Sequence, residues 1–184
     1  DAGLLNRVDA FVKERYLDSG RLPHAQILIS RDNEIVHFSS QGAAREGLDR
    51  PIDEGSMFRI ASMTKPVTSV AFMMLVEEGR VAVDTPLHEV LPQFKDVGVY
   101  QSGGAGAPFA TRPLDEPMRM LDLLRHTAGL TYGFQYRSNI DAAYRACASN
   151  AGPVENWYGE ADINAFIADL ARLPLEFAPG AAWN

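Results

Sequence analysis

Ser62 and Lys65, in the run Ser62-Met63-Thr64-Lys65, set a hydroxyl nucleophile and an amine base three positions apart. In a helix that spacing brings both side chains to one face, a single turn from each other. A serine hydroxyl attacks a carbonyl poorly until a base takes its proton, and a lysine amine can do so only if its own pKa is lowered. The pair is therefore a candidate acylation engine, with Ser62 as nucleophile and Lys65 as base. The same four residues also read as an N-cap serine followed by a solvated lysine. Spacing alone leaves both readings open.

The surrounding elements weigh between them. Residues 51–56 carry turn formers, and Met57-Phe58-Arg59-Ile60-Ala61 is a mainly apolar approach. Pro66 is tolerated only in the first turn of a helix, and residues 67–76 that follow are almost wholly apolar up to Glu78-Gly79. The pattern predicts a helix starting at Ser62 and, because it is apolar nearly all round, a buried one. Ser62 would then stand at the end of a core helix, where the backbone dipole favours negative charge developing on its oxygen.

Before this helix, Leu4, Leu5, Val8, Phe11, Val12 and Tyr16 recur at helical spacing, with closure expected near Ser19-Gly20. Residues 25–30 and 34–40 read as two strands joined at Arg31-Asp32-Asn33 into an antiparallel hairpin. After it, Val83-Asp84-Thr85-Pro86 opens a short helix towards Leu91, residues 129–133 turn, and residues 118–125, 140–148 and 163–173 read as helices. Residues 98–113 are rich in Gly, Ala and Pro without periodicity and read as a mobile surface loop. Gln101-Ser102-Gly103-Gly104-Ala105-Gly106 within it lacks the Gly-Lys-Ser/Thr ending of a phosphate-binding loop.

Four blocks then point to a family. Phe58-Arg59-Ile60-Ala61-Ser62-Met63-Thr64-Lys65-Pro66 comes first, followed by Glu78-Gly79-Arg80-Val81 with Asp84-Thr85-Pro86-Leu87. Leu123-Leu124-Arg125-His126-Thr127-Ala128-Gly129-Leu130 and Phe177-Ala178-Pro179-Gly180-Ala181-Ala182-Trp183-Asn184 complete the set. In this order they resemble the serine beta-lactamase-like hydrolases, most closely the family VIII carboxylesterases and their class C beta-lactamase relatives. The resemblance implies an α/β (α+β) fold, the beta-lactamase/transpeptidase-like sandwich of an antiparallel sheet with helices, here lacking its C-terminal half. It also implies a tyrosine motif directly after the Pro-Gly-x-x-Trp block and a third motif on a later strand. Neither lies within residues 1–184. Tyr136-Arg137-Ser138-Asn139 has one residue too many for Tyr-x-Asn and falls too early, so it reads as a loop.

Residues 1–184 are accordingly expected to be the N-terminal portion of a single hydrolase. Residues 1–85 would hold the first helix, the hairpin and the nucleophile helix, and residues 86–184 a mostly helical region. The remaining C-terminal sequence, or a second polypeptide, would complete the sheet, and the stretch alone would be inactive. The expected activity is carboxylester hydrolysis of short-chain esters through an acyl-enzyme, with the Ser62 backbone amide giving one oxyanion-hole bond. Beta-lactamase or D-alanyl peptide hydrolase activity at the same serine is one alternative, and a non-catalytic ligand-binding member of the fold is another. The substrate would be a small-molecule ester or beta-lactam.

Composition narrows the other classes. A net charge of -7 with singly scattered arginines gives no basic stripe for nucleic acid. No apolar stretch reaches the ~18 residues that span a bilayer. No signal peptide is visible, so the cytoplasm is the expected compartment, although the chain begins with Asp1 and its native start could have been removed. Cys147 is the only cysteine, expected as a free, partly buried thiol. His24, His37, His88 and His126 lie far apart without metal-ligand spacing, so neither a metal nor another cofactor is expected. His126 as the base of a Ser-His-Asp triad is set aside because a lysine already accompanies the well-placed serine. By the resemblance, its block shapes the fold beside the site.

Overall fold

The computed structural model describes residues 2–44, 50–104, 106–147 and 162–184. The chain divides into two compact units, residues 1–62 and 63–184.

In the first unit, α1 (Ala2–Val12) runs on into a π-helical turn at Lys13–Leu17. Strands β1 (His24–Arg31) and β2 (Glu34–Gly42) form the expected antiparallel hairpin. Asp32 and Asn33 turn it with φ of 54° and 64°, the left-handed pair of a two-residue hairpin loop that Asp and Asn tolerate best. Polar side chains tie the pieces together. The Asp9 carboxylate accepts from Ser39 Oγ at 2.7 Å and from His37 Nε2 at 3.0 Å, fixing α1 to β2. These two contacts, the Ser39 hydroxyl above all, hold the Asp9 carboxyl below its ordinary range. Gln26 Nε2 donates to the Asp53 carbonyl at 2.8 Å, and Ile52 is the buried apolar side chain of this unit among the described residues.

The second unit begins with α2 (Thr64–Glu77), which ends at Gly79 with φ of 68°. Helix α3 (Leu87–Val90) follows, then β3 (Val99–Gly104), β4 (Ala107–Arg112), α4 (Met120–Leu124), α5 (Asn139–Ala146) and α6 (Ile163–Ala171). The core gathers Leu87, Phe94, Val97, Met118, Met120, Ala128 and Leu175. Its backbone is stitched by sequence-distant pairs, among them Leu87 N to Met118 O at 2.7 Å and Met120 N to Thr85 O at 3.1 Å. Leu175 is fully buried and bridges Val99 in parallel, with Tyr100 N donating to its carbonyl at 2.8 Å. The Cys147 thiol is free and half-buried, and burial pushes its pKa up.

Two expectations are corrected. Residues 98–113 are not a loop: β3 and β4 pair antiparallel with two register shifts. Backbone pairing makes this ribbon, with Gly103 and Gly104 at φ of 104° and 98° and Leu175 docked at its start, so side-chain periodicity carries no signal of it. Helix α2 forms where expected but contains no buried residue. Phe72 packs against the core of the unit, whereas Val67, Val70 and Met74 are exposed. Among the described residues of 63–184 nothing covers that face, although composition alone marks it as apolar. The expected end of the fifth helix at Ala148 lies outside the described residues.

Candidate active site

Ser62 occupies a single 3-10 turn, Ala61–Met63, that leads directly into α2, and Lys65 is the second residue of that helix. The chain enters the turn through Ala61 with φ of 44°, a left-handed conformation that costs a residue with a Cβ ~1–2 kcal/mol. Pro66 sits in the first turn, where a missing N–H removes only a donor that has no intrahelical partner. Ser62 thus closes the first unit, and Lys65 belongs to the second.

Lys65 borders a cavity of about 390 Å³ built entirely within residues 63–184. Besides Lys65, its walls come from four stretches distant in sequence, the last of them represented by Asn184. The segment after α4 supplies His126, Leu130, Tyr132 and Phe134; α5 supplies Tyr144, and α6 supplies Phe166 and Leu170. The lining is mainly aromatic and aliphatic, with polar atoms confined to a few positions, the composition typical of a small-molecule site. Burial pushes the Tyr144 phenol up to about 12, against the opposing pull of a hydrogen bond with the Thr131 backbone. It therefore stays protonated near neutral pH and cannot act as a phenolate base there.

The cavity wall is held by two polar clamps. Asp141, fully buried, accepts from Thr131 Oγ1 at 2.8 Å and from the Arg137 backbone N–H at 2.7 Å. Asn184 is the second clamp. Its backbone N–H donates to His126 O at 3.1 Å and its Nδ2 to Leu130 O at 3.2 Å, while its Oδ1 accepts from Arg137 at 2.7 Å and from Gln135 at 3.3 Å. Thr127 O accepts from Gly180 N at 2.8 Å and Gly129 O from Glu176 N at 2.7 Å. The last two sequence blocks are thereby zipped to each other along one wall of the cavity.

His126 lies on this wall with φ of 58° and its ring tilted against Trp183 at 6.1 Å. Tyr136-Arg137-Ser138-Asn139 is a turn and helix start. Tyr136 has φ of 54°, and Ser138 Oγ caps α5 by accepting from Asp141 N at 3.2 Å. Among the described residues no cluster of His, Cys, Asp and Glu could hold a metal ion, and no helix is long and apolar enough to cross a membrane. The motif reading named Ser62 and Lys65 and gave no signal of the aromatic lining or the Asn184 clamp. Tyr132 and Phe134, alternating in Leu130-Thr131-Tyr132-Gly133-Phe134, were the available signal.

Comparisons with known proteins bear on the family and the fold. A family model described as Beta-lactamase matches residues 8–184. Esterase EstB of Burkholderia gladioli is 32% identical over 184 residues, covering 100% of this chain and 42% of that protein. A putative D-alanyl-D-alanine carboxypeptidase of Salmonella agona (strain SL483) is 27% identical over 188 residues, covering 98% of this chain and 38% of its own length. The solved structure of EstCE1, a hydrolase with promiscuous acyltransferase activity, superposes with a TM-score of 0.76 at 23% identity, over 98% of this chain and 42% of that one. The chain spans about two fifths of the length of these relatives. The overlap in fold identifies its helices and small antiparallel sheets as part of the beta-lactamase/transpeptidase-like architecture, and with the family model covering nearly every residue, the chain belongs to the beta-lactamase family.

Proposed function

We propose that the protein is a serine hydrolase working through an acyl-enzyme, a carboxylesterase on short-chain esters. The observation that carries this reading is the Ser62-x-x-Lys65 pair at the head of α2, with Lys65 bordering a cavity of substrate size. Ser62 Oγ attacks the ester carbonyl while Lys65 Nζ takes its proton, and the Ser62 backbone N–H donates to the oxyanion. Collapse of the tetrahedral intermediate breaks the bond to the alcohol, whose oxygen takes the proton back from Lys65. Water then releases the acid by the reverse proton route. The left-handed Ala61 adds support, since backbone strain of this kind is concentrated at functional sites. A second proton-handling residue and a second oxyanion donor are expected from sequence that follows Asn184.

Beta-lactam or D-alanyl peptide chemistry at the same serine is the second reading, favoured by the name of the Salmonella relative. The identity with the esterase is higher, at 32% against 27%. A chromogenic short-chain ester and a chromogenic cephalosporin, run side by side on the full-length protein, separate the two. Ester turnover that disappears in Ser62→Ala supports the esterase. Cephalosporin turnover alone favours the second reading, and turnover of neither means a non-catalytic, ligand-binding member of the fold.

A further inference from the structure

We infer that the cavity beside Lys65 is a leaving-group pocket, and that the preferred substrates are short-chain acyl esters of bulky aromatic or apolar alcohols. The inference rests on the hydrolase reading above and specifies which end of the ester the cavity receives.

Size comes first. At the roughly 30 Å³ that a water-sized group occupies in a liquid, a cavity of about 390 Å³ holds on the order of a dozen non-hydrogen atoms. That is far more than an acetyl or propionyl group needs. A benzyl group fills about half of it, and a naphthylmethyl group nearly all of it.

The lining decides chemistry. Tyr132, Phe134, Tyr144 and Phe166 present aromatic rings, and Leu130 and Leu170 fill between them. Aromatic walls favour a flat aromatic guest through offset or edge-on contact as well as through burial. Tyr144 is fixed in α5 with its ring buried and its phenol neutral, so it contributes a wall and no charge.

Proton bookkeeping assigns the end. In the proton route proposed above, Lys65 hands the Ser62 proton to the alkoxide as the carbon–oxygen bond breaks, and it can do so only to an oxygen within hydrogen-bond reach. The alcohol therefore departs on the Lys65 side. Lys65 borders this cavity, so the group attached to that oxygen is the one the cavity receives. The short acyl chain remains on Ser62.

The test uses the full-length enzyme and two ester series. Ethyl, benzyl and 2-naphthylmethyl acetates vary the alcohol, all primary and of similar acidity, so differences in intrinsic reactivity stay small. Ethyl acetate, butyrate and octanoate vary the acyl chain. The expected kcat/KM rises by about 10- to 100-fold from ethyl to the aromatic acetates, the effect of burying one aromatic side-chain equivalent, and does not rise with acyl length. Leu170→Trp, which narrows the cavity, should pull the naphthylmethyl-to-ethyl ratio towards one, and Phe166→Ala, which widens it, should shift the optimum to the bulkier alcohol. Independently of turnover and of both variants, calorimetry on Ser62→Ala should detect binding of 2-naphthylmethanol and none of ethanol. A flat alcohol series, or one in which acyl length sets the rate, overturns the pocket assignment while leaving the esterase intact. No turnover of any ester overturns the esterase reading and, with it, the leaving-group role.

Discussion

Gly129 and Gly180 form a matched pair for testing how the cavity wall is held. Their φ angles are nearly the same, 82° and 80°. A Cβ on Gly180 would meet nothing within 4 Å, whereas on Gly129 it would lie 2.2 Å from the Phe177 carbonyl oxygen and 3.1 Å from Leu175 Cβ. Gly180→Ala therefore carries only the conformational penalty of a left-handed alanine, ~1–2 kcal/mol. Gly129→Ala carries the same penalty plus a collision with backbone that cannot rotate away, and overpacking of this kind adds typically 1–3 kcal/mol, for a total of about 2–5 kcal/mol. The Phe177 carbonyl must retreat, which strains the adjacent bond of 2.7 Å between Glu176 N and Gly129 O. Urea unfolding of the two full-length variants, at unchanged m-value, measures the difference directly. Equal destabilisation of the two would refute the idea that close approach of the last two sequence blocks, and not backbone conformation, is what requires glycine at position 129.

Three further outcomes are expected. A fluorophosphonate probe should label Ser62 in the full-length protein, and peptide mapping that finds the label on another serine would remove Ser62 from its role. Lys65→Arg should abolish acylation, because a guanidinium does not give up its proton; an acylating variant would pass the base role to another residue. Asp9 is held below its ordinary range by Ser39 and His37, so its contribution to folding is present above the unfolded carboxyl pKa of ~4 and is lost as pH falls through the lower folded value. Protection factors of the amides in residues 1–62, with exchange normalised to the intrinsic rate at each pH, should accordingly fall below about pH 4, and Asp9→Asn should flatten that dependence, an effect absent if the Asp9 contacts do not hold α1 to β2.

What the sequence disclosed and what it hid follow one physical division. The first hairpin was legible because its side chains alternate around a turn that Asp32 and Asn33 favour, both local signals. The second was not, because Gly103 and Gly104 shape it by backbone conformation and Leu175 docks on it through backbone contacts from more than seventy positions away. Ser62 and Lys65, the proposed nucleophile and base, stood out because their spacing sets them one helical turn apart. The rest of the site is assembled from segments that only tertiary packing brings together: Leu123 to Phe134, Tyr144, and the face of α6 carrying Phe166 and Leu170. Asn184 looked like the tail of a motif, yet its hydrogen bonds to His126, Leu130, Gln135 and Arg137 make it the point where that wall is tied.

The exposed face of α2 is where sequence and structure part, and it yields the sharpest remaining test. Val67, Val70 and Met74 are 65%, 62% and 55% exposed, on a helix whose first turns carry Lys65. Burying each of three such side chains would contribute ~1.5–3 kcal/mol, so leaving them in water forgoes a sum comparable to the net stability of a domain. The relatives are more than twice as long as this chain, and the prediction is that the further sequence packs on this helix. Val70→Asp in the full-length protein should then place an unpaired carboxylate in an apolar contact and destabilise it by several kcal/mol. At a solvent-facing position the same substitution would shift stability by no more than about 0.5 kcal/mol. A small shift in the unfolding midpoint would show that α2 turns this face to water in the full-length protein, and that its apolar composition serves something other than the core.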